Sequence, residues 1–537
     1  MSALDEKDNK ISPVVSETVP TGKTWTKDEW TLAKLGYKQE LVRGLGLFEG
    51  WASIFTSMNF VSGIPVLFGW VMYTGGPEAA FANWTMVGGL AVVVSFAMAE
   101  IAAGFPTAGG IYFWSYRLGG EEWGPFLAWM TAWWNWAGWV TVVPGVQQGA
   151  TGFLLSALEI QYPNASVLGK GWFSWLLTSI GMLFAMAPNI WNQRVLKWYF
   201  RAAIIIYFVL FFLTWIWIPA SVSPNFASKD EVFDRFVNGI NGGSKKQASD
   251  PYCWTIGILF GAWVFYGFDA SAHISEETVS ASENVARSMW LATVSSWSLS
   301  VPLLILILFC IQDLDGIING SYSNNWAEFL VQTVGKKGAV GILSVLWIDS
   351  TCATASCFMS AQRVTYAISR DNVLPGSKWF KQLTPEKRMP VHAGLLVYAI
   401  SVILTTAVIG SEVAFTAITA TATIATNFSY LIPIAARHTI GRNHFEPAPW
   451  NLGRFSVPIG IVASSYIGIE CIVLLLPQYY PVTGQTLNYA PVCIGIVSVV
   501  SIVGWLFPVY GGRHWFKGPQ KTITELEMNG AIMKDDM

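Results

Sequence analysis

The chain has 537 residues, of which 53% are hydrophobic and only 12% charged. A soluble domain is roughly one quarter charged, so this composition excludes a set of ordinary soluble domains and points to an integral membrane protein. With 32 Lys and Arg against 34 Asp and Glu, the formal charge is −2, and no basic excess exists to hold nucleic acid.

Residues 1–46 carry seven Lys/Arg and seven Asp/Glu and lack the apolar run of a signal peptide. They read as a mostly disordered polar tail, with a short surface helix expected over 28–43. A hydrocarbon core of about 30 Å needs roughly 20 apolar residues per helix. Twelve candidate spans stand out, the fourth, fifth and ninth of them short: 47–74, 82–104, 124–158, 172–187, 202–218, 254–275, 290–311, 338–368, 391–409, 413–435, 457–477 and 491–510. The expected fold is therefore all-α, a twelve-helix membrane domain over 47–510 followed by a polar tail, 511–537. The six cysteines mostly sit in apolar runs, without metal-ligand spacing, and read as small apolar residues.

The positive-inside rule orients the spans. With the N-terminus cytoplasmic, 25 of the 32 Lys/Arg fall on the inner side, so both termini are expected inside. The sequons at Asn164 and Asn319 then lie in outer loops.

Two spans are interrupted. The first contains Asn59-Phe-Val-Ser-Gly-Ile-Pro65 and the sixth contains Phe265-Tyr-Gly-Phe-Asp269. Broken helices survive in a bilayer only where the freed backbone is buried in protein or lines a wet cavity. Spans 1 and 6 hold equivalent places if 47–218 and 254–435 are two five-helix repeats, with 457–510 as two added helices. Five is odd, so the repeats are inverted and the site lies between them. One break alone reads as a simple kink or close helix packing; the matched pair favours a site. Pro65 suits the first turn of a restarted half-helix, and the amides of Ser62, Gly63 and Ile64 are expected to face an anionic group.

Five stretches, LGYKQELVR (35–43), AEIAAGFPTAGGIYFWSYRL (99–118), GFDASAHISEET (267–278), AISRDNVLPGS (367–377) and YGGRHWFKGPQKT (510–522), occur in this order. Together they resemble the amino acid–polyamine–organocation superfamily, in its eukaryotic branch of GABA permeases, choline permeases and bidirectional amino-acid transporters. The resemblance implies the twelve-helix inverted-repeat fold and alternating-access transport of a small nitrogenous solute through a lipid bilayer.

Ionisable residues inside spans are functional by default. Asp269 directly follows the second break and can pair with an ammonium, exchange a proton or cap the restarted helix. His273, four residues on, shares its face, and an imidazole beside a carboxylate can sense or relay a proton, although a packed histidine reads equally well. Glu276 and Glu277 stand at the inner mouth, as gate residues or as a solvated helix end. Glu100 reads as mainly structural, with a proton role as the alternative. Asp349, well inside the eighth span, can meet a cationic solute or bond to Ser350 or Thr351. Tyr266, Gly267 and Phe268 complete the expected substrate-binding set of Ser62, Gly63, Ile64, Asp269 and Asp349. Asp269, His273, Glu276 and Glu100 are the candidates for proton coupling or gating.

The leading expectation is a proton-coupled permease for amino acids or GABA. A carrier of choline, a polyamine or thiamine is the alternative, and a non-transporting nutrient sensor a third. No HExxH or GxSxG motif suggests an enzyme, and no cofactor or metal is expected. The plasma membrane is the expected location, with the vacuolar membrane as the alternative.

Overall fold

A computed structural model describes residues 24–241, 246–410, 414–521, 523 and 532–533. Half of the expected N-terminal tail, residues 1–23, and most of residues 522–537 lie outside the described residues. The described residues up to Gln39 and from Lys521 onward belong to one compact unit, and those of 40–520 to another. In the smaller unit a helix spans Lys27–Lys34 behind a capping box, in which Glu29 N donates to Thr26 Oγ1 and Thr26 N to Glu29 Oε2. It stops well short of residue 43, because Gly36 turns the chain at φ +99°, a conformation that ends a helix. The two-residue strands Thr24–Trp25 and Ile532–Met533 pair in parallel.

The larger unit is a helical bundle. Its first span is two helices, α1 (Leu47–Met58) and α2 (Phe60–Thr74). α3 (Gly76–Gly104) and α4 (Gly110–Gln161) follow, then α5 (Gly171–Trp191) and α6 (Gln193–Val222). The sixth expected span is broken into three short helices: α7 (Asp250–Ile256), α8 (Leu259–Ala262) and α9 (Ala270–His273). The remainder are α10 (Ala281–Phe309), α11 (Trp326–Arg370), α12 (Val391–Thr405), α13 (Ala414–His438), α14 (Ser456–Leu474) and α15 (Ala490–Leu506).

Among the described residues, nine helices are long and apolar enough to cross a membrane by length and composition. The other three expected spans take other forms: 124–158 lies inside α4, 254–275 is the broken segment, and 491–510 is the 17-residue α15. The third span is longer than its apolar stretch suggests because α4 runs through a kink at Gly120, φ +64°. A side chain there would strain the backbone, and glycine removes that cost.

The packing has a repeating logic. α4 lies against α11 and α3 against α10, while α4 against α13 is mirrored by α11 against α6. Likewise α1 against α10 is mirrored by α3 against α8, and α5 against α11 by α12 against α4. These three pairs of contacts recur when the spans involved are moved five places along the chain. Side-chain hydrogen bonds knit the layers: Trp84 Nε1 donates to Ser300 Oγ at 2.8 Å between α3 and α10, and Asn189 Nδ2 to Ala355 O at 2.9 Å between α5 and α11. Such links matter in lipid, where no water is present to satisfy a stray polar group.

Candidate functional site

The first break is a single residue. Asn59 adopts φ +33°, ψ +69°, the left-handed conformation that asparagine tolerates better than most residues. Its side chain then caps α2, with Ser62 N donating to Asn59 Oδ1 at 3.1 Å, while Gly63 N donates to Asn59 O at 2.8 Å. Pro65 does not restart the half-helix as expected. It lies inside α2, past the first turn, because the chain turns at Asn59 and not at Gly63 or Pro65. Gly63 touches the second break: a Cβ there would stand 2.5 Å from Val264 Cγ2.

The second break runs between α8 and α9. Gly267 holds φ +82°, and a Cβ on it would meet the Trp139 ring at 3.3 Å. This turn delivers Asp269 into the bundle, fully buried. Four side chains reach its carboxylate. Asn135 Nδ2 (3.1 Å), Trp139 Nε1 (2.9 Å) and His273 Nε2 (2.8 Å) meet Oδ2, and Tyr430 OH donates to Oδ1 at 2.5 Å. Tyr430 OH also accepts from Gly267 N at 3.1 Å. Burying a carboxylate costs several kcal/mol, and charge-assisted hydrogen bonds of this kind offset it. His273 Nδ1 is buried and has no hydrogen-bond partner among the described residues.

Asp349 is a second buried carboxylate, and it bonds neither Ser350 nor Thr351. Asn59 Nδ2 donates to its Oδ2 at 2.6 Å, so α11 is tied to the pivot of the first break.

Between the breaks is a cavity of about 30 Å³, room for little more than a water molecule. Ser62, Gly63, Tyr266 and Gly267 line it, together with Asn59, Trp139, Trp263, Ser350 and Cys357. Ile64, Phe268, Asp269 and Asp349 are outside that lining, and no lining side chain is charged. Trp263 and Tyr266 form one wall, with ring centroids 5.8 Å apart. Ser350 Oγ is buried without a partner. Val66 also borders a vestibule of about 1020 Å³, lined by Trp70, Tyr73, Gln148, Tyr322 and Asn325 among others.

The opposite end is closed. Glu276 and Glu277 are buried and not a solvated helix end. Glu276 pairs with Arg370 at 3.3 Å and accepts from Ala108 N at 3.1 Å. Glu277 pairs with Arg363 at 3.1 Å and accepts from Gln193 Nε2 at 3.3 Å. The backbone strengthens this seal: Gly44 N and Leu45 N donate to Glu277 O, and Val279 N donates to Leu45 O. Arg43 adds bonds to the carbonyls of Ser275 and Thr278. Glu100 is apart from all of this. It accepts from Ser456 Oγ at 2.5 Å and Leu452 N at 3.1 Å, fixing the start of α14.

Sequence reasoning did not reach the contacts of Asn135, Trp139 or Tyr430 with Asp269, nor the role of Asn59. A polar side chain within an apolar run was the available signal for both asparagines. Nothing local marks Tyr430, which reaches Asp269 from 161 residues away.

Paired helix breaks around a small cavity, inside a bundle of apolar helices, define a membrane transporter. The sequence profile described as amino acid permease matches residues 48–499. The chain belongs to that amino acid permease family. It is 31% identical to an amino-acid permease BAT1 homolog from Oryza sativa subsp. japonica, over 92% of this chain and 95% of the relative. It is 30% identical to the thiamine transporter thi9 of Schizosaccharomyces pombe, over 89% of this chain and 85% of the relative. A putative polyamine transporter of Candida albicans is 25% identical, over 93% and 90%.

Proposed function

We propose that the protein is a secondary active permease that moves amino acids or GABA by alternating access, coupled to protons. The observation that carries this reading is the neutral cavity between the two breaks. A zwitterion brings its own carboxylate, which the positive end of α2 attracts. Its ammonium can turn to carbonyls freed at the Tyr266–Gly267 break. A bare cation finds no carboxylate in the cavity lining.

In this reading Ser62, Gly63, Ile64, Tyr266, Gly267 and Phe268 shape the substrate site. Asp269 and His273 carry the coupling proton, with the partnerless His273 Nδ1 as the second proton position. Glu276 and Glu277 form the cytoplasmic gate, so the vestibule opens outward. The cavity must widen to admit a solute, which requires the half-helices to move apart. The plasma membrane suits an uptake role.

A second reading, a carrier of a cationic solute, draws on the Trp139, Trp263 and Tyr266 rings. Rings of this kind hold organic cations at ~0.5–2 kcal/mol each, and two relatives are named for thiamine and polyamines. The deciding experiment is labelled-solute uptake in a transport-null cell, with GABA, neutral and basic amino acids, choline, thiamine and spermidine as competitors. Competition by GABA or neutral amino acids, lost with a protonophore, supports the first reading. Competition by the cations alone replaces it with the second.

A further inference from the structure

Asp349 has no role in the scheme above, yet its surroundings are specific. It is 1% exposed and forms no ion pair among the described residues. The groups that face it are Asn59 and Ser62 from the first break, Tyr199 and Tyr207 from α6, and Cys352 on its own helix. Tyr199 OH donates to Cys352 O at 2.8 Å, so that phenol is already engaged. A carboxylate this deep, with no cation beside it, is costly to keep ionised.

The Asn59 amide has two unlike ends, and both are in use. Ser62 N–H can only donate, so it needs Oδ1. That leaves Nδ2, which can only donate, facing Asp349. The arrangement is consistent only while Asp349 Oδ2 accepts. A proton on Oδ2 puts donor against donor. A proton on Oδ1 leaves a neutral acceptor, about half as strong as the charged one. Turning the amide over to meet a protonated Asp349 would aim Nδ2 at Ser62 N–H and remove the α2 cap.

We propose that Asp349 is a proton-linked positioning residue: ionised, it locks Asn59 in the capping geometry, and protonated, it releases the first helix break. Ser350 Oγ, which lines the same cavity as Asn59 and has no partner, offers the freed amide another acceptor. The release loosens the half-helix that must move for the 30 Å³ cavity to admit a solute. This inference rests on the permease reading for its use in transport, but its test does not.

The test is hydrogen exchange of the full-length protein in lipid nanodiscs, followed by mass spectrometry of peptides covering 58–66. Exchange is compared at about pH 5.5 and about pH 7.5 after correction for intrinsic rates. Wild type should exchange about fivefold faster at the lower pH, the equivalent of losing a helix cap of ~1 kcal/mol. Asp349→Asn should exchange at the fast level at both values. Asn59→Ser keeps a capping oxygen but lacks the amide that reads Asp349, so its exchange should not depend on pH. Asp349→Glu should keep the step. Equal protection of wild type at both pH values overturns the proposal without any variant. So does a pH step that persists in Asp349→Asn or Asn59→Ser. Uptake measured in parallel judges the permease reading separately, because a missing solute flux does not alter the exchange readout.

Discussion

Gly63→Ala tests whether the two helix breaks meet as tightly as the structure has them. The new Cβ would stand 2.5 Å from Val264 Cγ2, well inside van der Waals contact. Overpacking of this kind costs ~1–3 kcal/mol. Exchanging glycine for alanine within a helix returns up to ~1 kcal/mol, so the net is a loss of up to about 2 kcal/mol, equivalent to roughly 30-fold. The loss should be felt only in the conformation with the breaks closed together. Thermal stability of the purified protein and labelled-solute uptake at matched surface expression are the readouts. Val264→Ala removes the methyl that collides. In the Gly63→Ala background it should restore stability, giving a coupling of at least ~1 kcal/mol in a double-mutant cycle. Strict additivity of the two changes, or an unaltered Gly63→Ala protein, would refute this account of the contact.

Three further outcomes are expected. Tyr430→Phe deletes the hydroxyl 2.5 Å from Asp269 Oδ1 and should cost ~1.5–3 kcal/mol, lowering uptake about 10- to 100-fold at normal surface expression; unchanged uptake would remove Tyr430 from the site. Glu276→Gln strands the buried Arg370 and should lower thermal stability by ~3–5 kcal/mol, whereas Glu276→Gln with Arg370→Gln should recover most of it; a double variant as unstable as the single would show that the pair does not act as a unit. Glu470 is buried in α14, where it accepts from Asn427 Nδ2 at 2.9 Å and Tyr466 OH at 3.0 Å. Glu470→Gln keeps an acceptor there and should change uptake KM less than about threefold, or ~0.6 kcal/mol; a larger change would give α14 a part in transport.

Local chemistry explains which features were legible in the sequence. Glycine and proline in apolar runs marked both breaks, and the four-residue spacing of Asp269 and His273 predicted their contact, which the 2.8 Å distance matches. The pivot itself was misplaced by several residues. Proline draws attention as a helix breaker, but a left-handed asparagine that caps the next turn ends α1 at lower cost. The partners of the carboxylates were out of reach for a different reason. Asn135 and Tyr430 approach Asp269 from α4 and α13, and Asn59 approaches Asp349 from 290 residues away. Sequence spacing fixes which residues share a helix face, whereas the meeting of distant helices depends on the packing of the whole bundle. The closed end shows the same division: two adjacent glutamates were visible, but their arginine partners one helix away were not.

Asp269 and Asp349 stand one layer behind the cavity, held by protein donors, and the cavity lining is made of uncharged side chains. That arrangement separates recognition from charge. A wall residue such as Ser350, Cys357 or Tyr266 can be exchanged without leaving a buried ion stranded, so each single change carries only the modest cost of repacking. Asp269, by contrast, resists replacement, because four partners lose a bond at once. In the proposed permease, one scaffold can therefore be retuned from one small organic solute to another in small, individually tolerable steps, while the groups around Asp269 and Asp349 stay as they are.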